Sequence, residues 1–229
     1  MPLIQLTDVE KIYPLGNQQV VALSEFSLSI DKGEFTVLAG PSGSGKTTVL
    51  NLIGGIDQPT RGRIEIEGRD VGRRSTRALA DFRLRHIGFI FQSYNLIPVL
   101  TAAENAEFTL MLQGMTKPAR RARIRDLFAD LGIGGLENRK PRDLSGGQQQ
   151  RVAVARAMAS HPAVILADEP TANLDSQTAE GLLDLMHRLN RQHHTTFIFS
   201  SHDPLVISRA RRIVRLRDGR LEDDRVQQP

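Results

Sequence analysis

From Phe35 the chain runs through five strand-forming residues, FTVLA, into Gly40-Pro41-Ser42-Gly43-Ser44-Gly45-Lys46-Thr47-Thr48, and on into a helical stretch over Lys46–Ile53 that stops at Gly54-Gly55. No other segment constrains the fold as tightly. The spacing G-x-x-x-x-G-K-[ST] between a buried strand and a helix start lets successive backbone N–H groups converge on a polyphosphate, and the helix N-terminus adds positive partial charge. Lys46 then spans the outer two phosphates, and Thr47 offers its hydroxyl to Mg²⁺. A flexible Gly/Ser turn that happens to hold a lysine is the bland alternative, and the flanking strand and helix argue against it.

Two further apolar runs, residues 164–167 (VILA) and 195–200 (TTFIFS), bracket Leu182, Leu185, Met186 and Leu189 at helical spacing. Strands that alternate with amphipathic helices and read as continuous apolar runs indicate βαβ units in a parallel sheet buried on both faces. Between these elements, residues 93–161 turn helical, with Ala102, Ala106 and Leu110 on one face and Ile124, Leu127, Phe128 and Leu131 on another. Residues 4–30 and 64–67 alternate in the manner of antiparallel strands, and Asp218-Gly219 marks a closing hairpin. A chain of 229 residues accommodates one α/β domain with such an insertion and little more.

Composition excludes several classes. With 0 Cys there is no disulfide, thiolate catalysis or Cys-ligated metal, and 40% hydrophobic with 24% charged residues is ordinary for a globular fold. Residues 1–10 lack a basic and apolar leader, and the apolar-rich stretch 87–103 is broken by Gln92, Ser93, Asn95 and Pro98, so no membrane span is expected. The net charge of +4 comes from 25 Arg and 5 Lys against 26 acidic residues. The arginines are spread along the chain, so we expect no nucleic-acid partner. Ion pairing with the acidic residues is expected to absorb most of this charge, and the densest cluster, residues 209–220, could still rest against headgroups or a basic-tolerant partner.

Asp168 ends an apolar run, where a rigid element can carry a carboxylate to within reach of Mg²⁺, and the adjacent Glu169 is suited to deprotonate a water attacking the terminal phosphate. Taken alone, the pair could simply end a strand before Pro170. Leu144-Ser145-Gly146-Gly147-Gln148 opens a helix, with Ser145 as N-cap and Gln148 completing a capping box. Capping leaves the two glycines unexplained, whereas bare backbone at a helix N-terminus suits close phosphate contact.

The loop, LSGGQ, Gln92 after Ile90-Phe91, the strand ending in Asp168-Glu169 and His202 resemble, in this order, the ATP-binding cassette (ABC) ATPases. The resemblance implies a P-loop NTPase fold: a RecA-like parallel sheet with an antiparallel β subdomain (1–92 and 162–229 together), and a helical subdomain (93–161) carrying LSGGQ. It further implies ATP and Mg²⁺ as cofactors, and a homodimer in which each ATP lies between one subunit's loop and Ser145, Gly146, Gly147 and Gln148 of the other. Tyr13 would stack on adenine, Gln92 would touch Mg²⁺ and the attacking water, His202 would meet the γ-phosphate, and Asp175 would sit at the dimer seam. Each has a plainer reading: Tyr13 as half-buried core, Gln92 as a surface amide, His202 as a strand-end cap, Asp175 as an N-cap.

Gly54-Gly55-Ile56-Asp57, residues 88–92, Asn95-Leu96-Ile97-Pro98 and residues 168–175 (DEPTANLD) resemble the lipoprotein-release, macrolide-efflux and cell-division branch, although Ala172 stands where members usually carry Gly. That branch implies a peripheral subunit on the cytoplasmic face of the membrane, driving a separate permease that docks on residues 94–100 (YNLIPVL). The same engine could instead drive a partner that regulates a cell-wall hydrolase. A soluble DNA- or ribosome-acting cassette fits less well, because about a hundred residues between Lys46 and Ser145 show no sustained heptads.

Overall fold

The chain begins with two long strands, β1 (Ile4–Leu15) and β2 (Gln18–Ile30), paired antiparallel, in a computed structural model that describes residues 1–16, 18–72 and 74–227. Next come β3 (Phe35–Ala39), with all five residues buried, and α1 (Lys46–Ile53). β4 (Arg61–Ile66) returns to pair with β1, and the two-residue β5 (Arg69–Asp70) closes a four-stranded antiparallel sheet of order β2-β1-β4-β5.

α2 (Thr76–His86) leads into β6 (Ile87–Phe91), after which three helices follow, α3 (Ala102–Leu112), α4 (Lys117–Asp130) and α5 (Gly146–Met158). The chain then returns through β7 (Val164–Asp168), α6 (Ser176–His193), β8 (Thr196–Ser201) and α7 (Pro204–Ser208), and ends in the hairpin β9 (Arg212–Arg217) and β10 (Arg220–Val226). The second sheet has the order β10-β9-β3-β8-β7-β6, parallel except for β10.

The period of two along each parallel strand sends successive side chains into two different cores. Val164 and Leu166 of β7 face a core shared with α1 and the antiparallel sheet, while Ile165 and Ala167 face one shared with α6 and the inserted helices. This explains why the parallel strands read as unbroken apolar runs. The second core is continuous from Phe197 and Phe199 of β8 to Ile124, Leu127 and Phe128 of α4, so the insertion is packed onto the sheet. Each leucine fully buried there, such as Leu183 and Leu189, contributes about 1.5–3 kcal/mol.

Two findings add to the sequence expectations. α2 is a helix that the pattern does not announce: over eleven residues only Leu79 and Phe82 are buried, and what marks its start is Ser75, whose side chain accepts from the Ala78 N–H. The arginines of 209–220 are largely neutralised within the chain. Arg209 pairs with Asp184, Arg212 with both Glu34 and Asp224, Arg215 with Asp223, Arg217 with Glu222 and Arg220 with Glu25. Pairing leaves this cluster with less net positive field than its arginine count suggests. Among the described residues no helix is long and apolar enough to cross a membrane.

Candidate active site

Strand register gathers the site. Phe91 is level with Asp168, Asp168 with Ser200, and Ala39 with Ser201, so Gln92, Asp168-Glu169, Ser200 to His202 and the loop at Gly40 all emerge at the carboxyl edge of one parallel sheet. That edge is where open α/β sheets bind ligands. There a cleft of about 510 Å³ is lined by Pro41, Ser42, Gly43, Gly45, Lys46, Thr47, Thr48, Gln92, Asp168, Glu169 and His202. It also takes in Val20, Val21, Ala22 and Ser200, which sequence reasoning missed. The signal for Val20 and Val21 was a pair of valines left 45% and 55% exposed on a strand, visible only once the strand was placed.

The loop needs its glycines. Gly40 has φ +151, and a Cβ there would lie 2.2 Å from the Leu216 carbonyl oxygen on β9; one at Gly45 would lie 2.8 Å from the Ala22 carbonyl. Gly43, at φ +80, has nothing within 4 Å of where a Cβ would stand, so its backbone is open to a ligand. Lys46, 7% exposed, donates to the carbonyls of Gly40 and Pro41, each at 2.8 Å. Burial pushes its ammonium below the usual lysine range, with Glu169 and Asp168 pulling the other way. Ser44 Oγ is buried inside the loop and has no partner among the described residues.

The Thr47 hydroxyl donates to Asp168 at 3.2 Å, so an alcohol and a carboxylate meet at the cleft mouth with Gln92 on its wall. This is an all-oxygen set with one carboxylate, which suits Mg²⁺ drawing its other ligands from phosphates and water. Among the described residues no cluster of three or more His, Asp or Glu forms an all-protein metal cage.

Glu169 turns the other way. Its Oε2 accepts from Ser201 Oγ at 2.8 Å and its Oε1 lies 2.6 Å from His202 Nδ1. The backbone of Glu169 has φ +44, a left-handed conformation unusual for this residue and typical of strain held at functional sites.

Tyr13 is not among the cleft-lining side chains. Its hydroxyl donates to Asp57 Oδ2 at 2.7 Å, and the Lys11 ammonium sits 4.7 Å above its ring. Burial, then the Asp57 carboxylate, pushes the phenol up. Partial burial opposes ionisation of Asp57, but Lys11, Tyr13 and the Gln58 N–H outweigh it and hold the carboxyl below the usual range.

Ser145, Gly146, Gly147 and Gln148 also lie outside this chain's cleft. The capping box is present, with Gln148 N donating to Ser145 Oγ at 3.3 Å and Ser145 N to Gln148 Oε1 at 2.9 Å. The glycines have a reason within the chain. A Cβ on Gly147 would stand 2.5 Å from Thr178 Cγ2, and one on Gly146 2.9 Å from Tyr94 Oη. Asp175 caps α6 through the Thr178 N–H at 3.0 Å and accepts the Thr178 hydroxyl at 2.6 Å, which holds that methyl in place.

A family model described as ABC transporter matches residues 23–172. An uncharacterised ABC transporter ATP-binding protein of Thermotoga maritima is 46% identical over 96% of this chain and 93% of its own length. The macrolide export ATP-binding/permease protein MacB of Salmonella typhimurium is 43% identical over 96% of this chain, which spans only 34% of that protein's length. A dimeric structure of the ATP-binding cassette MJ0796 in a post-hydrolysis state with ADP and Pi matches 99% of both chains with TM-score 0.91 at 40% identity. A second dimeric structure of MJ0796, a bacterial ABC transporter cassette, matches with TM-score 0.91 at 41% identity.

Proposed function

This chain belongs to the ABC transporter family of ATP-binding proteins, and on that premise we propose how its residues divide the work of an ATP-driven engine. The protein is an ATPase that uses ATP with Mg²⁺. The observation that carries the assignment of roles is the split of the two neighbouring acids: Asp168 faces the Thr47 hydroxyl, while Glu169 faces Ser201 and His202.

Backbone N–H groups between Ser42 and Thr48 cradle the phosphates, and Lys46 leaves the loop carbonyls for phosphate oxygens. Thr47, Asp168 and Gln92 would hold Mg²⁺, which when bound would neutralise charge on the outer phosphates. Glu169 takes the proton of the attacking water. Ser201 and His202 grip both its oxygens, so the carboxylate is oriented before the water arrives. His202 donates Nδ1–H to Glu169, so its Nε2 can meet a γ-phosphate oxygen only when it too carries a hydrogen, as in the imidazolium. Tyr13, its hydroxyl tethered to Asp57, stacks its ring on adenine at the cleft rim.

Two copies close head to tail, each lending Ser145, Gly146, Gly147 and Gln148 to the other's nucleotide, with Asp175 at the seam. The support is that Ser145 is exposed and this stretch does not line its own cleft. In the ATP-bound dimer each cleft is completed by the partner.

A permease is the proposed partner, because MacB relatives carry that function by name, and a separate polypeptide is proposed because the Thermotoga relative is named as an ATP-binding protein. Residues 94–100 are the proposed dock: Val99 is 75% exposed, and Asn95 and Arg156 border a cavity of about 280 Å³ with Phe89 and Phe91. Its place is the cytoplasmic face of the membrane, held there by the permease. The pairing of the 209–220 arginines supports no nucleic-acid partner.

Mixing a Ser145→Arg chain with a Lys46→Ala chain tests the shared site. One intact site forms in the mixture, and ATPase activity returns to a substantial fraction of wild type while neither variant alone turns over. Silence in every mixing ratio would mean that each site is built within one chain.

A further inference from the structure

Helix α5 carries Ser145 to Gly147 at its start, and its side chains are bonded to two of the segments that leave the carboxyl edge of the sheet. Gln150, 0% exposed, donates Nε2 to the carbonyl of Pro170 at 2.6 Å, in the residue next to Glu169. Since that carbonyl can only accept, the orientation of the amide follows from chemistry. Gln150 Oε1 has no partner among the described residues. An unpaired buried acceptor is unfavourable, so the donor accounts for an amide at this position.

Further along α5, Arg156 donates to the carbonyls of Tyr94, at 2.8 Å, and Asn95. The two segments are joined in turn, Asn173 Nδ2 donating to the Gln92 carbonyl at 3.0 Å. The result is a closed circuit of α5, the turn after Glu169, and the segment after Gln92.

Glu169 sits where this circuit meets the cleft. Its left-handed backbone, φ +44, persists only where its surroundings over-determine it. On one side its N–H donates to the Ser200 carbonyl at 2.9 Å, and on the other Gln150 fixes the next residue.

We propose that Gln150 is a positioning residue for hydrolysis: by holding the Pro170 carbonyl it keeps Glu169 in the conformation that directs its carboxylate into the cleft. Because α5 begins with Ser145, movement of that helix against a partner's nucleotide is passed through Gln150 to this chain's own Glu169. The proposal rests on the reading of Glu169 as base and of Ser145 to Gly147 as the partner's half-site.

Gln150→Met keeps length and removes the donor. In the full-length protein, ATP affinity, read by equilibrium titration, stays within about twofold of wild type, while kcat falls about tenfold or more and Tm stays within a few degrees. Equal losses of affinity and kcat, or a kcat within twofold of wild type, overturn the proposal.

In mixed dimers of Ser145→Arg and Lys46→Ala chains, the surviving site uses Glu169 of the Ser145→Arg chain. Gln150→Met placed on that chain gives the loss of kcat, and placed on the Lys46→Ala chain it does not. A loss that follows the Lys46→Ala chain makes Gln150 a support of the phosphate-binding helix start, which overturns the proposal. If the unmodified mixture shows no ATPase, the shared-site reading fails by itself, and the split between affinity and kcat in the uniform variant still decides the role of Gln150.

Discussion

At the scale of single residues, chemistry and packing compete for the same positions. Gly147 invites reading as bare backbone for a phosphate, yet its own chain already requires it, because Thr178 Cγ2 occupies the space of a Cβ and the Thr178 hydroxyl is tied to Asp175. Two effects oppose each other on Gly147→Ala: helix propensity gains about 1 kcal/mol, and overpacking costs about 1–3 kcal/mol. The rotamer of Thr178 is held, so overpacking wins and Tm falls. Adding Thr178→Ser removes the methyl and leaves the propensity gain, so the double variant melts at or above wild type. A thermal melt in which Gly147→Ala alone is the more stable protein would remove this explanation. Such steric demands are invisible in a linear sequence, where Ser145 and Gln148 show their capping pattern but Thr178 lies 31 residues from Gly147.

Elements were legible in proportion to the length and contrast of their apolar pattern. α6, with seven buried residues at helical spacing, and the all-buried β3 announce themselves, whereas α2, with two, does not. α6 also carries a group whose environment sets a pH response. The His187 ring stacks on Phe35 with centroids 3.8 Å apart, and its Nε2 donates to the Arg209 carbonyl at 2.7 Å. Burial, with the charges of Arg211, Arg191 and Arg209, pushes the imidazole below its usual 6.5 despite that carbonyl. Below about pH 6.5 the unfolded chain therefore takes up a proton that the folded chain still refuses, and stability falls as pH falls through that window. His161, lowered by burial and by Arg123, adds to the same slope. Thermal melts between pH 7.5 and 5.5 show a decline that His187→Gln makes shallower. An unchanged slope in that variant would place the acid sensitivity elsewhere.

For the whole molecule, this chain folds as one cassette, and each proposed ATP site needs two. Glu169→Gln retains the oxygen that accepts from Ser201 and removes the base, so ATP binding survives, turnover drops by two orders of magnitude or more, on the order expected for loss of a general base, and the dimer is trapped. Sedimentation with ATP and Mg²⁺ reports a dimer for this variant and a monomer without nucleotide. Turnover near wild type would remove Glu169 as base. By itself the sequence determined the α/β class, the loop from Gly40 to Thr48, the cap at Ser145 and the acids at 168 and 169, because each is encoded by residues adjacent in the chain or spaced at the period of one element. Only the tertiary structure decided that Asp168 and Glu169 face opposite partners, which carboxylates most of the 209–220 arginines meet, and that Gln150 reaches Pro170. Those depend on strand register and on side chains meeting from elements far apart in sequence, where the free energy of contact is set by distance and burial and leaves no periodic trace.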